Sequence, residues 1–282
     1  MSQSVWHTGR FEIDLACPRV MGIVNVTPDS FSDGGDHLDL TAALNHCERL
    51  LKEGADILDI GGESSRPGAL PVPLGEELRR VTPVLRHAVK LGVPVSIDTY
   101  KPDVMAHALD LGVDIINDIY GLRRPGALDV VSAHAACGVC LMHMRGEPAS
   151  MQQQVISNDV VDDVRSFLAA RVEVLTQLGV DACRVVLDPG IGFGKTVEQN
   201  FELLRRQAEL LDLGLPILVG WSRKSSLGAV SGRPAGERGV LSAAAALAAV
   251  QLGARVVRVH DVADTVDALK VWGLAGLCRP RH

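Results

Sequence analysis

The chain has 282 residues, 47% of them hydrophobic and 22% charged, with a formal net charge of −6. That supply of apolar side chains fills one large core and excludes a disordered chain. The acidic balance excludes a generic nucleic-acid surface, but a small anionic substrate can still bind where local cations line a cleft.

The opening residues, "MSQSVWHTGRFEIDLACPRV", contain no apolar stretch long enough for a secretory leader. They read as a lead-in over 1–19 to one domain spanning 20–278, and a cytoplasmic location is expected. The first strand is predicted in "RVMGIVNVT" (19–27), followed by a helical stripe of Leu44, Cys47, Leu50 and Leu51. From there a plan repeats. A helix-like segment stops at a glycine and an apolar strand follows. The glycines are Gly54, Gly92, Gly112, Gly138, Gly179, Gly214 and Gly253. The strands are "DILDIGG", "PVSIDT", "DIINDI", "VCLMHM", "RVVLDPG", "PILVGWS" and "RVVRVHD". Glycine just past a helix enters the left-handed region at little cost, so it is read as a stop signal.

Between the fourth and fifth of these strands, Val161, Val164, Phe167, Leu168, Val172, Leu175 and Leu178 form one helical stripe. Later, "VLSAAAALAAV" (240–250) is too short to span a bilayer and reads as a buried, alanine-rich helix. Eight apolar strands alternating with helices predict an α/β fold with a parallel sheet covered by helices, and the count of eight favours a closed (β/α)8 TIM barrel in a single domain.

Polar residues gather at the C-terminal ends of these strands: Asn25, Glu63, Asp98, Asn117, His143, Asp188, Ser222 with Lys224, and Arg258 with His260. A barrel carries its active site on that rim. The two-residue period puts Ile23 with Asn25, Ser96 with Asp98, Ile115 with Asn117, Val186 with Asp188, and Val256 with Arg258 and His260 on common faces. If those faces point inward, the polar groups converge.

Two short motifs invite other readings. "DPGIGFGKT" (188–196) ends like a nucleotide-binding P-loop, but the position that should be its first glycine is Pro189, which lacks an amide donor. "CGVC" (137–140) is a lone C-x-x-C with no second ligand pair at zinc-binding spacing, and it leads into a strand rather than a helix. It reads as two reduced cysteines.

In order, "MGIVNVTPDSFSDGG" (21–35), "GGESSRPGA" (61–69), "SIDT" (96–99), "INDI" (116–119), "LMHM" (141–144), "LDPGIGFGK" (187–195), "GWSRKS" (220–225) and "RVHD" (258–261) resemble the dihydropteroate synthases. The likeness runs over essentially the whole chain. The resemblance implies a (β/α)8 barrel that condenses a dihydropterin-methyl diphosphate with 4-aminobenzoate, with Mg2+ as cofactor and a homodimer built on the late helices (236–254). It implies a pterin pocket of Asp98, Asn117, Met142, Asp188 and Lys224. The diphosphate falls to Asn25, Ser64, Ser65, Arg66, Arg258 and His260, with Asn25 as the metal ligand. The 4-aminobenzoate falls to Phe31, Pro67, Phe193 and Ser222. Arg66, Asp98, Lys224, Arg258 and His260 form the expected catalytic set. The glycines flanking Phe193 suggest a mobile loop in which the ring has little to pack against.

Ser65, where threonine is usual, Tyr100 after "SIDT", and Trp221 depart from the family pattern. Asn25 could also cap the turn before "TPDS". Two rival functions are a methyltetrahydrofolate-binding barrel, which has no need of the "SSRPG", "SRKS" and "RVHD" anion motifs, and an inactive paralogue.

Overall fold

Alternation along each strand sorts its side chains onto the two faces of a barrel wall. The computed structural model describes residues 4–27, 35–66, 68–146 and 159–276. A hairpin of β1 (Val5–His7) and β2 (Glu12–Asp14) precedes β3 (Arg19–Asn25), β4 (Ile57–Gly61), β5 (Val95–Asp98), β6 (Ile115–Asp118), β7 (Gly138–Met142), β8 (Val185–Asp188), β9 (Ile217–Val219) and β10 (Ala254–Val259). The last eight strands close into a parallel barrel, with β10 pairing β3. The expected fold is therefore the observed one. Each crossover carries a helix: α1 (Gly35–Lys52), α2 (Leu74–Ala88), α3 (Pro102–Asp110), α4 (Ala127–Ala133), α5 (Val160–Gln177), α6 (Val197–Arg205), and the pair α7 (Ser225–Ser231) and α8 (Gly239–Gln251). The final helix, α9 (Val262–Leu274), follows β10.

Val20, Val24, Leu58, Ile60, Ile97, Ile116, Leu141, Leu187 and Val257 face outward into the layer under the helices. Met21, Ile57, Ile115, Cys140, Val186, Leu218 and Val256 face inward. The same parity splits the C-x-x-C: Cys137 lies in the outer layer and Cys140 in the barrel interior. Burial raises both thiols above their ordinary value. The pair cannot close on one metal.

Residues before 20 do more than lead in. Trp6, Ile13 and Leu15 of the hairpin region pack on the inward layer and close the barrel floor. The Trp6 indole is fully buried and donates to the Arg184 carbonyl at 2.9 Å. Gly138 was expected to stop a helix, but it opens β7 and lacks a positive φ, unlike the other six glycines. Its role is closeness: a Cβ there would sit 2.9 Å from Thr8 Cγ2 and 3.1 Å from Trp6 Nε1. The expected domain end at 278 lies outside the described residues. No described helix is long and apolar enough to cross a membrane.

Candidate active site

The inward parity continues upward from the apolar floor into a polar layer. Register places Asp59 beside Ile23 and Ser96, and Asp98 beside Gly61 and Asn117. Arg258, arriving from β10, reaches across this layer. Its Nε donates to Asp59 Oδ2 at 2.6 Å and its Nη2 to Asp98 Oδ2 at 2.6 Å. Asn117 Nδ2 donates to the same Asp59 oxygen at 3.2 Å. Two carboxylates thus share one guanidinium. Burial, helped by the charges of Asp59, Glu77 and Asp118 and opposed by Arg258, pushes Asp98 up to about 7. Asp59 Oδ1 is buried without a hydrogen-bond partner among the described residues.

Asp188, at the end of β8, accepts the Gly190 amide on Oδ1 at 2.7 Å. Burial raises its carboxyl, while that amide and the charges of Lys224, Lys195 and Arg258 act against the rise. Lys224 is lowered to about 8 by burial, with Asp188 and Asp98 opposing and Arg258 adding to the shift. Its Nζ stands 4.2 Å from the centre of the Phe193 ring. Arg223, the residue before it, takes a left-handed backbone, φ 58°, and grips Asp261 with two bonds of 2.5 and 3.1 Å. That pair ties the turn after β9 to the end of β10.

The loop after Asp188 is built to stay in place. Gly190, Gly192 and Gly194 all have positive φ, and a Cβ on Gly190 would lie 1.8 Å from the His143 carbonyl oxygen. Only glycine fits there. Its amides are engaged internally: Gly190 with Asp188, Gly192 with Asn200 Oδ1 at 2.8 Å, and Phe193 with the Gly190 carbonyl at 3.1 Å. Donors turned inward do not cradle a phosphate, which agrees with the failed P-loop match. The expectation that Phe193 has little to pack against is corrected. It is 7% exposed and joins Ile119, Tyr120, Met142 and Met144 in one apolar cluster.

On the other side of Arg258 lie the expected anion-binding groups. The Ser222 hydroxyl accepts the His260 amide at 3.1 Å and contacts His260 Nδ1 at 3.0 Å. Burial, with Arg258, Arg223 and Arg66 adding to it, pushes His260 down to about 3. His260 is therefore held neutral at neutral pH. Arg66 is exposed, and its charge reaches His260; Ser64 and Ser65 are partly buried. Ser64 Oγ is 3.4 Å from the Arg66 amide. Phe31 and Pro67 lie outside the described residues.

Asn25 closes β3, partly buried and in register with Gly61. No group of three or more His, Cys, Asp or Glu gathers to hold a metal among the described residues. One neutral amide oxygen fits Mg2+ only where the ion keeps its waters and binds mainly through substrate phosphates.

Three features escaped the sequence reading. Asp59 sits in "DILDIGG" on the inward parity shared with Ile57, so the two-residue rule applied to the other strands would have found it. Glu63 was noted only as a rim residue, but it accepts from the Val72 amide at 2.9 Å, Tyr100 Oη at 2.8 Å and Lys101 Nζ at 2.5 Å. Lys101 also contacts buried Glu77, which accepts from Thr99 Oγ1 at 2.7 Å. These bonds brace the start of the segment bearing Ser64, Ser65 and Arg66, and they give Tyr100 a structural purpose. Trp221 is buried against Phe201, with ring centres 5.4 Å apart, in the layer under the helices.

Comparison with known proteins agrees with this geometry. The family model described as pterin binding enzyme matches residues 21–260. The dihydropteroate synthase of Neisseria meningitidis serogroup C is 50% identical, over 98% of this chain and 99% of its own. The structure of the Xanthomonas albilineans dihydropteroate synthase with 4-aminobenzoic acid superposes with a TM-score of 0.92 at 48% identity, over 98% of this chain and 99% of that one. The Burkholderia cenocepacia dihydropteroate synthase complexed with 7,8-dihydropteroate superposes with a TM-score of 0.88 at 50% identity, covering both chains fully.

Proposed function

The chain belongs to the dihydropteroate synthases, and from that premise we propose how its barrel mouth joins (7,8-dihydropterin-6-yl)methyl diphosphate to 4-aminobenzoate, yielding 7,8-dihydropteroate and diphosphate. The observation that carries the assignment of roles is Arg258 bridging Asp59 and Asp98 beside Asp188 and Lys224. A pterin edge alternates donors and acceptors. Asp98, Asn117 and Asp188 meet it with carboxylates and an amide, Lys224 adds a donor, and Met142 supplies an apolar wall. The open acceptor on Asp59 suits a ring N–H, since a mismatch would leave a buried group unpaired at about 1–3 kcal/mol. The bound dihydropteroate of the Burkholderia cenocepacia relative supports a pterin site in this fold.

The diphosphate is assigned to Arg66, Ser64, Ser65, Asn25 and His260, with Arg258 between it and the ring. Arg66 offers a fork of donors that matches phosphate oxygens. Mg2+, held by Asn25 together with the phosphates, supplies Lewis-acid neutralisation of the leaving group when bound. As the C–O bond breaks, these fixed donors take up the charge growing on the diphosphate, and the pterin-methylene carbon becomes cationic. The neutral aniline nitrogen, positioned by Phe193, Ser222, Phe31 and Pro67, then forms the C–N bond and gives up a proton. No covalent enzyme intermediate is needed. Positioning of this kind supplies on the order of 7–11 kcal/mol.

A homodimer through α8 and α9 is supported by the exposure of Val240 (77%), Val271 (70%) and Leu274 (91%) on these two helices. The test of the reaction is diphosphate release with both substrates and Mg2+. Release that requires 4-aminobenzoate is expected. Release without it would mean simple hydrolysis, and none at all would favour the methyltetrahydrofolate-binding or inactive alternatives.

A further inference from the structure

Lys195 has no part in the reaction as described, yet it is 3% exposed at the edge of the pocket. Its Nζ meets three close acceptors, His143 Nδ1 at 2.9 Å, the Gly190 carbonyl at 2.8 Å and the Phe193 carbonyl at 3.1 Å, and a longer fourth, the His143 carbonyl at 3.5 Å. An ammonium has three hydrogens and accepts nothing, so its match to the close three is bond for bond. Burial lowers Lys195 to about 7, but a shell made of acceptors favours the charged form. With Nδ1 accepting, His143 keeps its proton on Nε2, which lies 3.2 Å from Asp163 Oδ2. The array runs from Asp163 on α5, across the end of β7, to two carbonyls of the loop after β8. Those carbonyls bracket a segment whose glycines have no side chains to anchor it. At its far end the Phe193 ring lies against Lys224.

We propose that Lys195 is a positioning residue for the condensation: its three bonds fasten the 190–193 segment so that the Phe193 ring stays beside Lys224 at the 4-aminobenzoate subsite. The part concerning that subsite rests on the reading of Phe193 given above. The fastening itself does not.

The test is hydrogen exchange and steady-state kinetics on Lys195→Met. Exchange of the loop amides is expected to rise by about tenfold or more, with amides of β4 and β5 unchanged. The KM for 4-aminobenzoate is expected to rise by about tenfold, with the KM for the pterin diphosphate within about twofold of the parent. In a Phe193→Ala background the same substitution should change the 4-aminobenzoate KM by less than about twofold, because the positioned group is gone. Unchanged loop exchange would overturn the proposal, as would equal KM effects in both backgrounds. A Phe193→Ala variant with a normal 4-aminobenzoate KM would instead remove the assignment of the ring, while loop exchange still decides the fastening. If Lys195→Met fails to fold, Asp163→Asn, altered at a partly exposed position, takes its place. A rise in loop exchange of about threefold is expected there, and no rise counts against the array.

Discussion

Lys224 and Asp98 show how burial sets the charge of single side chains at the pocket. Lys224 is held near 8, so it passes from ammonium to amine just above neutrality. The kcat/KM for the pterin diphosphate should decline on the alkaline side with an apparent pKa about 8, a limb reporting the free enzyme. Measured pH profiles should lose that limb in Lys224→Gln; a limb that persists would assign it elsewhere. Asp98 is raised from 3.8 to about 7. Its folded form therefore holds a proton more tightly than its unfolded form. The stability it contributes is complete below pH 3.8 and is lost as the pH rises through 7. Denaturation midpoints of Asp98→Asn should fall less between those pH values than the parent's, and parallel declines would refute the assignment. Most pocket residues were legible because an inward parity and a strand end identify a side chain from spacing alone. His260 was legible in place but its neutrality was not, since that comes first from burial in the closed barrel, with Arg258, Arg223 and Arg66 adding to it. Asp59 was overlooked although the same parity covers it, and the fault there lay in stopping at the rim.

At the scale of elements, the eight barrel strands and their order could be read from apolar runs and glycine stops. The floor hairpin could not. Its strands have three residues each, and only packing on Met21, Ile115 and Val256 makes them strands. The consequence is testable. Trp6→Ala removes a fully buried indole and strands the Arg184 carbonyl, and should cost about 3–5 kcal/mol by chemical denaturation, with substrate KM values little changed. A loss under about 1 kcal/mol would mean that the hairpin is not part of the core. The loop after β8 shows the reverse. Its glycines look like flexibility in the sequence, whereas the structure uses their left-handed backbone to turn the Gly190, Gly192 and Phe193 amides inward toward Asp188, Asn200 and the loop itself. The carboxylate of Asp188 and the amide oxygen of Asn200 accept two of those donors, contacts that periodicity alone does not reveal.

At the scale of the whole molecule, two surfaces matter. The outer one is the α8 and α9 face, where light scattering should report a dimer for the parent. A Val240→Glu, Val271→Glu double variant should shift it toward monomer, and an unchanged mass would place the contact elsewhere. The inner one is the mouth, where Arg258 bonds side chains 199 and 160 positions earlier in the chain. Only closure of the barrel unites them. A crystal structure of this protein with 7,8-dihydropteroate and diphosphate addresses that union directly. The expected result has the pterin edge within hydrogen-bond distance of Asp98, Asn117 and Asp188, with the diphosphate on Arg66 and His260. A pterin bound away from the Asp59–Arg258–Asp98 bridge would contradict the account.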